Sequence, residues 1–396
     1  MKIKLNILII FFIFNSCNAQ SVKNEYKAID LSLSQPKFSE ILNNNSNIYW
    51  LGEQHGTKEN YNIAFKMLSH ISKTQGLDYL IIENSFLTEI LLNEYLKKGD
   101  ITILNKSIRN YKNIFYSNKE LRNYLIQVKE LYDKLPNNKK FQFVSIDIEQ
   151  TYFSSQKYID DYLLKTQKMK TFIVNHDFQN LKNDKERKLY YNELLNYVNK
   201  ERINNDTIKY MVSNMIKLFE TYENGERWDI VRDSLMYENF KKRNKEFNFK
   251  NKTSFAFFGT DHCYKTKNKK GVNWIAALIK NNHKDIKQNS TVILYKKCSF
   301  MRNKTMFPKL IRFLFKKIDT NFISHNFQNE PFKKLNGKKH LAKNRISNLT
   351  MWKIKNLNLK WNLITDKRKE KKNTEYIDNV ILIVNSNHCE PYYGKE

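Results

Sequence analysis

Residues 47–57 read NIYWLGEQHGT. An apolar, β-favouring run leads directly into Gly-Glu-Gln-His-Gly, the pattern of a buried strand that ends in a tight loop carrying Glu53 and His55. The chain has only nine glycines, so their positions are informative. Gly52, Gly56 and Gly259 fall in two short segments, LGEQHGT and FFGTDH, each following an apolar run and each holding a histidine. Glycine there permits a sharp turn or close approach of the backbone. In open α/β sheets, ligands bind at the carboxyl ends of the strands. His55 and His262 are therefore expected on the same edge of one sheet.

Outward from this stretch, short β-rich apolar runs alternate with longer amphipathic ones, which predicts an α/β fold with a mainly parallel central sheet flanked by helices. Strands are expected at residues 47–52, 77–83 (LDYLIIE), 141–148 (FQFVSIDI), 253–259 (TSFAFFG), 291–295 and 379–384 (NVILIV), the last closing the core at the sheet edge. Helices are expected at about 60–74, 87–96, 120–135, 226–247 and 272–279. Residues 154–224 are polar, helical in pattern and glycine-free, and read as a helical insertion, in the position of a cap over the sheet. Residues 308–373 are basic and carry no clear pattern. Residues 20–396 are expected to form a single α/β domain, and no internal repeat is present.

The amino terminus reads as an export signal. Lys2 and Lys4 precede the apolar run LNILIIFFIF, which is shorter than the ~20 residues that cross a bilayer. Cleavage after Ala19 releases a soluble protein; a loose lipobox ending before Cys17 instead gives a lipid anchor, and the second reading is slightly preferred. Either places the mature protein outside the cytoplasm, in the periplasm or anchored to the outer membrane. At 41% hydrophobic and 14% aromatic residues the chain can bury a substantial core. Its net charge of +29 is spread over scattered lysines with no nucleic-acid motif beside them, so it reads as a solvated surface rather than a nucleic-acid interface. The densest basic region, residues 264–373, is a candidate contact for lipid head groups. Besides Cys17 there are Cys263, Cys298 and Cys389, too few to organise the fold through disulfides, though enough for one bridge.

Acidic residues recur at the strand ends: Glu53 two residues before His55, Glu83 closing IIE, and Asp147 in SIDIE. Together with His262 they make a His/His/Glu/Glu cluster with Asp147 nearby. A carboxylate beside a histidine fixes its tautomer and raises its basicity, which suits a general base that activates water. The same four residues, Glu53, His55, Glu83 and His262, also form a possible open site for a divalent metal. Asp147 and Asp261 read equally well as turn or capping residues. In RWDIVRDSLMYENF, Trp228, Arg232, Met236 and Asn239 share one helical face. Arg232 on that face needs a carboxylate partner, and reads equally as grounding a site acid, stabilising an oxyanion or making a plain structural salt bridge.

These segments, LGEQHGTKE, IIEN, SIDIE, RDSLMYEN and FFGTDH in that order, resemble the erythromycin esterase-like proteins. That group is related to the ChaN-like haem-binding proteins and the Tiki-type proteins. The resemblance spans residues 47–262 and implies an α/β core with its site at the strand ends. It also implies hydrolysis of an ester or lactone, with His55 as general base, Glu53 as its acidic companion, and Glu83, Arg232 and His262 in the remaining site positions. The spacing GE-x-HG is one residue shorter than the GE-x-x-HG of macrolide esterases and closer to that of the haem-binding relatives. The expected activity is hydrolysis of an ester, lactone or amide in a small-molecule or peptide substrate, with no cofactor required. A haem-binding iron-uptake protein and a divalent-metal peptidase are the rival readings.

Overall fold

The computed structural model describes residues 27–109, 117–149, 152–163, 178–201, 206–225, 228–267, 273–327, 338–354 and 373–393. The expected export signal and Cys17 lie outside them.

In chain order the strands are β1 (Ala28–Asp30), β2 (Ile48–Glu53), β3 (Tyr79–Ile82), β4 (Gln142–Ser145), β5 (Ser254–Gly259), β6 (Gln288–Lys296), β7 (Cys298–Asn303), β8 (Lys316–Lys317), β9 (Phe322–Phe327), β10 (Leu349–Lys353) and β11 (Asn379–Val384). The α-helices of eight or more residues are α1 (Glu59–Thr74), α2 (Phe86–Lys98), α3 (Ile101–Arg109), α4 (Lys119–Lys134), α5 (Tyr152–Leu163), α6 (Asp184–Lys200), α7 (Asp206–Glu223), α8 (Trp228–Phe247) and α9 (Ile275–Asn282).

The main sheet has eight strands in the order β1-β10-β11-β6-β2-β5-β3-β4. From β11 to β4 every neighbouring pair is parallel, and these are the strands expected from the sequence. They read as continuous apolar runs because both faces are covered. Along β2, Tyr49 and Leu51 enter the core on one face while Ile48 and Trp50 enter the core on the other. Along β5, Phe255 alternates with Ala256 and Phe258 in the same way. Each such large side chain, fully buried, contributes about 1.5–3 kcal/mol.

The expected sheet edge is corrected. β11 is interior, pairing with β6 on one side and with the antiparallel β10 on the other, and β1 then extends the sheet beyond β10. The patternless basic region thus contributes a strand, LTMWK, together with β8 and β9, which join β7 in a separate antiparallel sheet ordered β7-β9-β8. Cys263, Cys298 and Cys389 are buried free thiols.

Where the insertion is described, it forms α5, α6 and α7 around a core of its own that includes Tyr191, Leu194, Met211, Met215 and Phe219. That core also takes in Phe86 and Leu91 of α2 and Ile148 just beyond β4, which ties the insertion to the carboxyl end of the sheet. Glu149 makes the joint: it accepts the Phe86 N–H at 2.8 Å and the Ser155 hydroxyl at 2.5 Å. Burial pushes its pKa up to about 7 against these hydrogen bonds. Among the described residues, no helix is long and apolar enough to cross a membrane.

Candidate active site

Four adjacent parallel strands, β2, β5, β3 and β4, present their carboxyl ends side by side. Each delivers one part of the expected cluster. Glu53 is the last residue of β2, and Glu83 directly follows β3. Asp147 lies two residues past β4, and the 3-10 turn Thr260–Cys263 after β5 carries His262. The candidates read from the sequence therefore converge, with Asp261 at the solvent-exposed rim, in electrostatic reach of His262, Asp233 and Glu83.

The Glu53 carboxylate accepts the proton of His55 Nδ1 with one oxygen and is held by the Asn60 amide on the other. Because a carboxylate only accepts, Nδ1 carries the hydrogen, and in the neutral ring the lone pair is then on Nε2. Asn60 is fixed in turn by the Tyr295 hydroxyl at 2.8 Å, and that hydroxyl also accepts the Gln54 N–H at 2.9 Å. Arg302 donates to the His55 carbonyl. The loop is clamped from two further directions, since the Gly56 carbonyl accepts Met301 N–H at 2.8 Å and Cys389 N–H at 2.9 Å, and Thr57 pairs with His388.

Across the site, Arg232 on α8 reaches Glu83 Oε1 at 2.9 Å and Asp147 at 2.5 and 3.2 Å. The helical face read from the sequence is consistent with this. Met236 is fully buried, and Asn239 donates to the Asp147 carbonyl at 3.3 Å; the Trp228 side chain lies outside the described residues. Glu83 Oε2 accepts the Gly259 N–H at 2.5 Å. Burial opposes its ionisation, but His262 and Arg232 outweigh that and hold Glu83 well below the usual carboxylate range. His262 sits between two acids, with Nδ1 2.6 Å from Asp233 and Nε2 3.3 Å from Glu83. Asp233 is itself anchored by the Ile275 N–H at the start of α9, at 2.6 Å.

Burial disfavours the His262 cation, yet Asp233 and Glu83 dominate and push its pKa up to about 10. Both acids favour the imidazolium form of the ring. Its folded-state pKa lies above the ordinary value of 6.5, so its stabilising contribution is complete below about pH 6.5 and is lost as pH climbs towards 10. The urea midpoint of the protein is expected to fall across that range, and to fall less in His262→Gln. Parallel curves for the two proteins would remove His262 as the cause.

Asp233, Asn60, Tyr295 and Arg302 were not singled out in the sequence. Asp233 stands next to Arg232, and a helix turns consecutive residues about 100° apart, so only the structure reveals that both reach the site. Arg302 belongs to an antiparallel strand with no sequence signal near it.

The two site glycines differ in their role. Gly56 has φ +96°, and a Cβ there would lie 2.5 Å from the Met301 carbonyl oxygen. Gly259 has ordinary torsions, and its Cβ would start 3.4 Å from His262 Cδ2 and 3.5 Å from both Glu83 Oε2 and His55 Nε2. Gly56→Ala is expected to cost about 1–3 kcal/mol of stability through strain and collision. Gly259→Ala is expected to leave the denaturation midpoint near wild type while impairing turnover, because its methyl occupies the point on which three site residues converge. Equal midpoints for the two variants would contradict this distinction.

A cavity opens beside His55, Glu53 and Glu83. Its walls include Leu80, Ile82, Leu92, Ile108, Phe143 and Phe257. Tyr124 also lines it, and its hydroxyl is buried without a hydrogen-bond partner among the described residues. The metal reading of Glu53, His55, Glu83 and His262 does not fit this arrangement. Glu53 is engaged by His55 and Asn60, Glu83 by Arg232 and Gly259, and His262 by Asp233. Among the described residues, no group of three or more His, Cys, Asp or Glu side chains is arranged to hold a metal ion.

No protein-family model matches the sequence, and no curated protein matches it. Solved structures do. A mutant of the erythromycin esterase EreC in its open conformation aligns over 93% of this chain and 98% of its own, with a TM-score of 0.62 at 12% identity. A structure described as a succinoglycan biosynthesis protein aligns over 87% and 89%, with a TM-score of 0.61 at 12% identity. A protein from Bacillus cereus aligns over 87% and 90%, with a TM-score of 0.57 at 13% identity. The mainly parallel α/β fold of this chain is the fold of the erythromycin esterase structure.

Proposed function

We propose that the protein is an exported hydrolase that directs water at the carbonyl of an ester, lactone or amide, with His55 as general base. The observation that carries this reading is the Glu53–His55 pair, whose Nε2 lies at the same point above Gly259 as Glu83 and His262. The charges support it. Glu53, Glu83, Asp147 and Asp233 are grouped with Arg232, Arg302 and His262. A proton taken from water by His55 gives an imidazolium that the Glu53 carboxylate, already in position, stabilises during attack. Arg232 and His262 are the groups that face negative charge developing on the carbonyl oxygen.

The cavity suggests the substrate's shape. Its apolar walls suit a compact hydrocarbon or aromatic body, and the Tyr124 hydroxyl suits one polar atom on that body. The test is a panel of aryl and alkyl esters, lactones, amides and peptides, assayed alongside metal and haem content of the purified protein. Turnover of an ester or lactone with an apolar body supports the reading. Absence of turnover on the whole panel, combined with stoichiometric haem uptake, would replace hydrolysis by haem binding.

A further inference from the structure

Residues 303–317 read NKTMFPKLIRFLFKK, with five basic residues and no acid. They leave β7, run through the 3-10 helix Lys309–Leu314 and enter β8. Four large apolar side chains in this one segment stand in solvent: Met306 at 59% exposure, Leu310 at 82%, Phe313 at 80% and Leu314 at 66%. The exposure is built in. The Asn303 side chain caps Thr305 at 2.8 Å, and Arg312 Nε donates to the Phe307 carbonyl at 2.9 Å. Phe307 and Phe315 pack on each other with ring centres 4.6 Å apart, and both lie against His325. The apolar residues that could turn inward have done so, and the remaining four are held outward.

An ordered cluster of this kind on a water-soluble surface implies something that covers it. Its rim identifies the cover. Lys309, Lys316 and Lys317 are exposed and form no ion pair among the described residues. Apolar side chains at the tip with unneutralised lysines around them match an interfacial anchor, whose tip enters the acyl boundary while its cations meet anionic head groups.

We infer that residues 303–317 dock the protein on an anionic lipid surface. The segment continues directly from Met301 and Arg302, which hold the His55 loop, so docking sets the orientation of the candidate site relative to that surface. The inference stands apart from the hydrolase reading and from any lipid on Cys17.

The test uses the full chain with Cys17→Ser in every protein compared. Cosedimentation is measured with vesicles of equimolar phosphatidylglycerol and phosphatidylcholine, and with phosphatidylcholine alone. Binding to the anionic vesicles is expected, weakened by salt. Leu310→Asp with Phe313→Asp should lower the partition coefficient about tenfold or more, and Lys309→Gln with Lys316→Gln and Lys317→Gln should lower it by a similar factor. Circular dichroism melting of each variant should match wild type, since these side chains are exposed. In Phe313→Trp, indole emission should shift to the blue when anionic vesicles are added. Absence of binding, or partitioning unchanged by the paired aspartates, would overturn the inference. A wild-type dimer that the aspartates convert to monomer would also overturn it, because a second copy would then be the cover.

Discussion

His55→Ala is expected to reduce turnover of any substrate found by about 10²–10⁴-fold, the range lost with a positioned general base, while leaving the denaturation midpoint close to wild type. The second half of this expectation follows from the surroundings. Glu53 loses one partner but keeps the Asn60 amide, and Arg302 remains close in charge. Glu53→Gln makes the complementary test. A glutamine amide can present its NH₂ to Nδ1, which drives the histidine proton to Nε2 and removes the lone pair from the side facing the site. A loss of the same order is therefore expected even though His55 is intact. Added imidazole should restore part of the activity to His55→Ala and none to Glu53→Gln. If His55→Ala kept more than a small fraction of wild-type turnover, water activation would have to lie elsewhere in the cluster.

The largest expected effect on stability is that of Arg232→Met. The guanidinium joins Glu83 and Asp147, both buried, and its loss leaves two neighbouring carboxylates with only His262 as a close cation. Removing one partner of such a network costs about 3–5 kcal/mol. The pH dependence identifies the cause. In the wild type Glu83 is held below its ordinary value of 4.5, so its contribution is present above that pH and is lost on acidification. Without Arg232 Glu83 protonates more readily, so the stability curves of the two proteins should converge as pH falls from 7 towards 4. Arg232→Met combined with Asp147→Asn should recover part of the loss, because one of the two uncompensated charges is gone. A change below about 1 kcal/mol at neutral pH would mean that these groups are hydrated rather than buried.

Much of this was legible in the sequence, for a physical reason. Strands buried on both faces appear as unbroken apolar runs, and YLII, SFAFFG and NVILIV could be read as such directly. β1 and β10 were not legible because AID and LTMWK are short and mix polar with apolar residues, and their strand state depends on pairing with β11 rather than on local pattern. That omission is also why NVILIV was expected at an edge. In the site, Glu53 and His55 could be paired from their spacing, and Glu83, Asp147 and His262 from their positions at strand ends. Asp233, Asn60, Tyr295 and Arg302 could not be found this way. Their importance lies in which partner each touches, and those partners are brought near only by the order β6-β2-β5-β3-β4.

The clamp on Gly56 and Thr57 has a consequence for timing. Its last pieces, Asn387, His388 and Cys389, lie close to the carboxyl terminus: Lys58 N–H and the Thr57 hydroxyl both bond to the Asn387 carbonyl, at 3.0 and 2.9 Å. A nascent chain already contains His55 before it contains the residues that fix its loop. The setting of that loop therefore waits for Asn387, His388 and Cys389 to emerge, and a chain truncated before Cys389 should accumulate with the histidine present and its loop unset. The segment that carries His55 is synthesised early and held late.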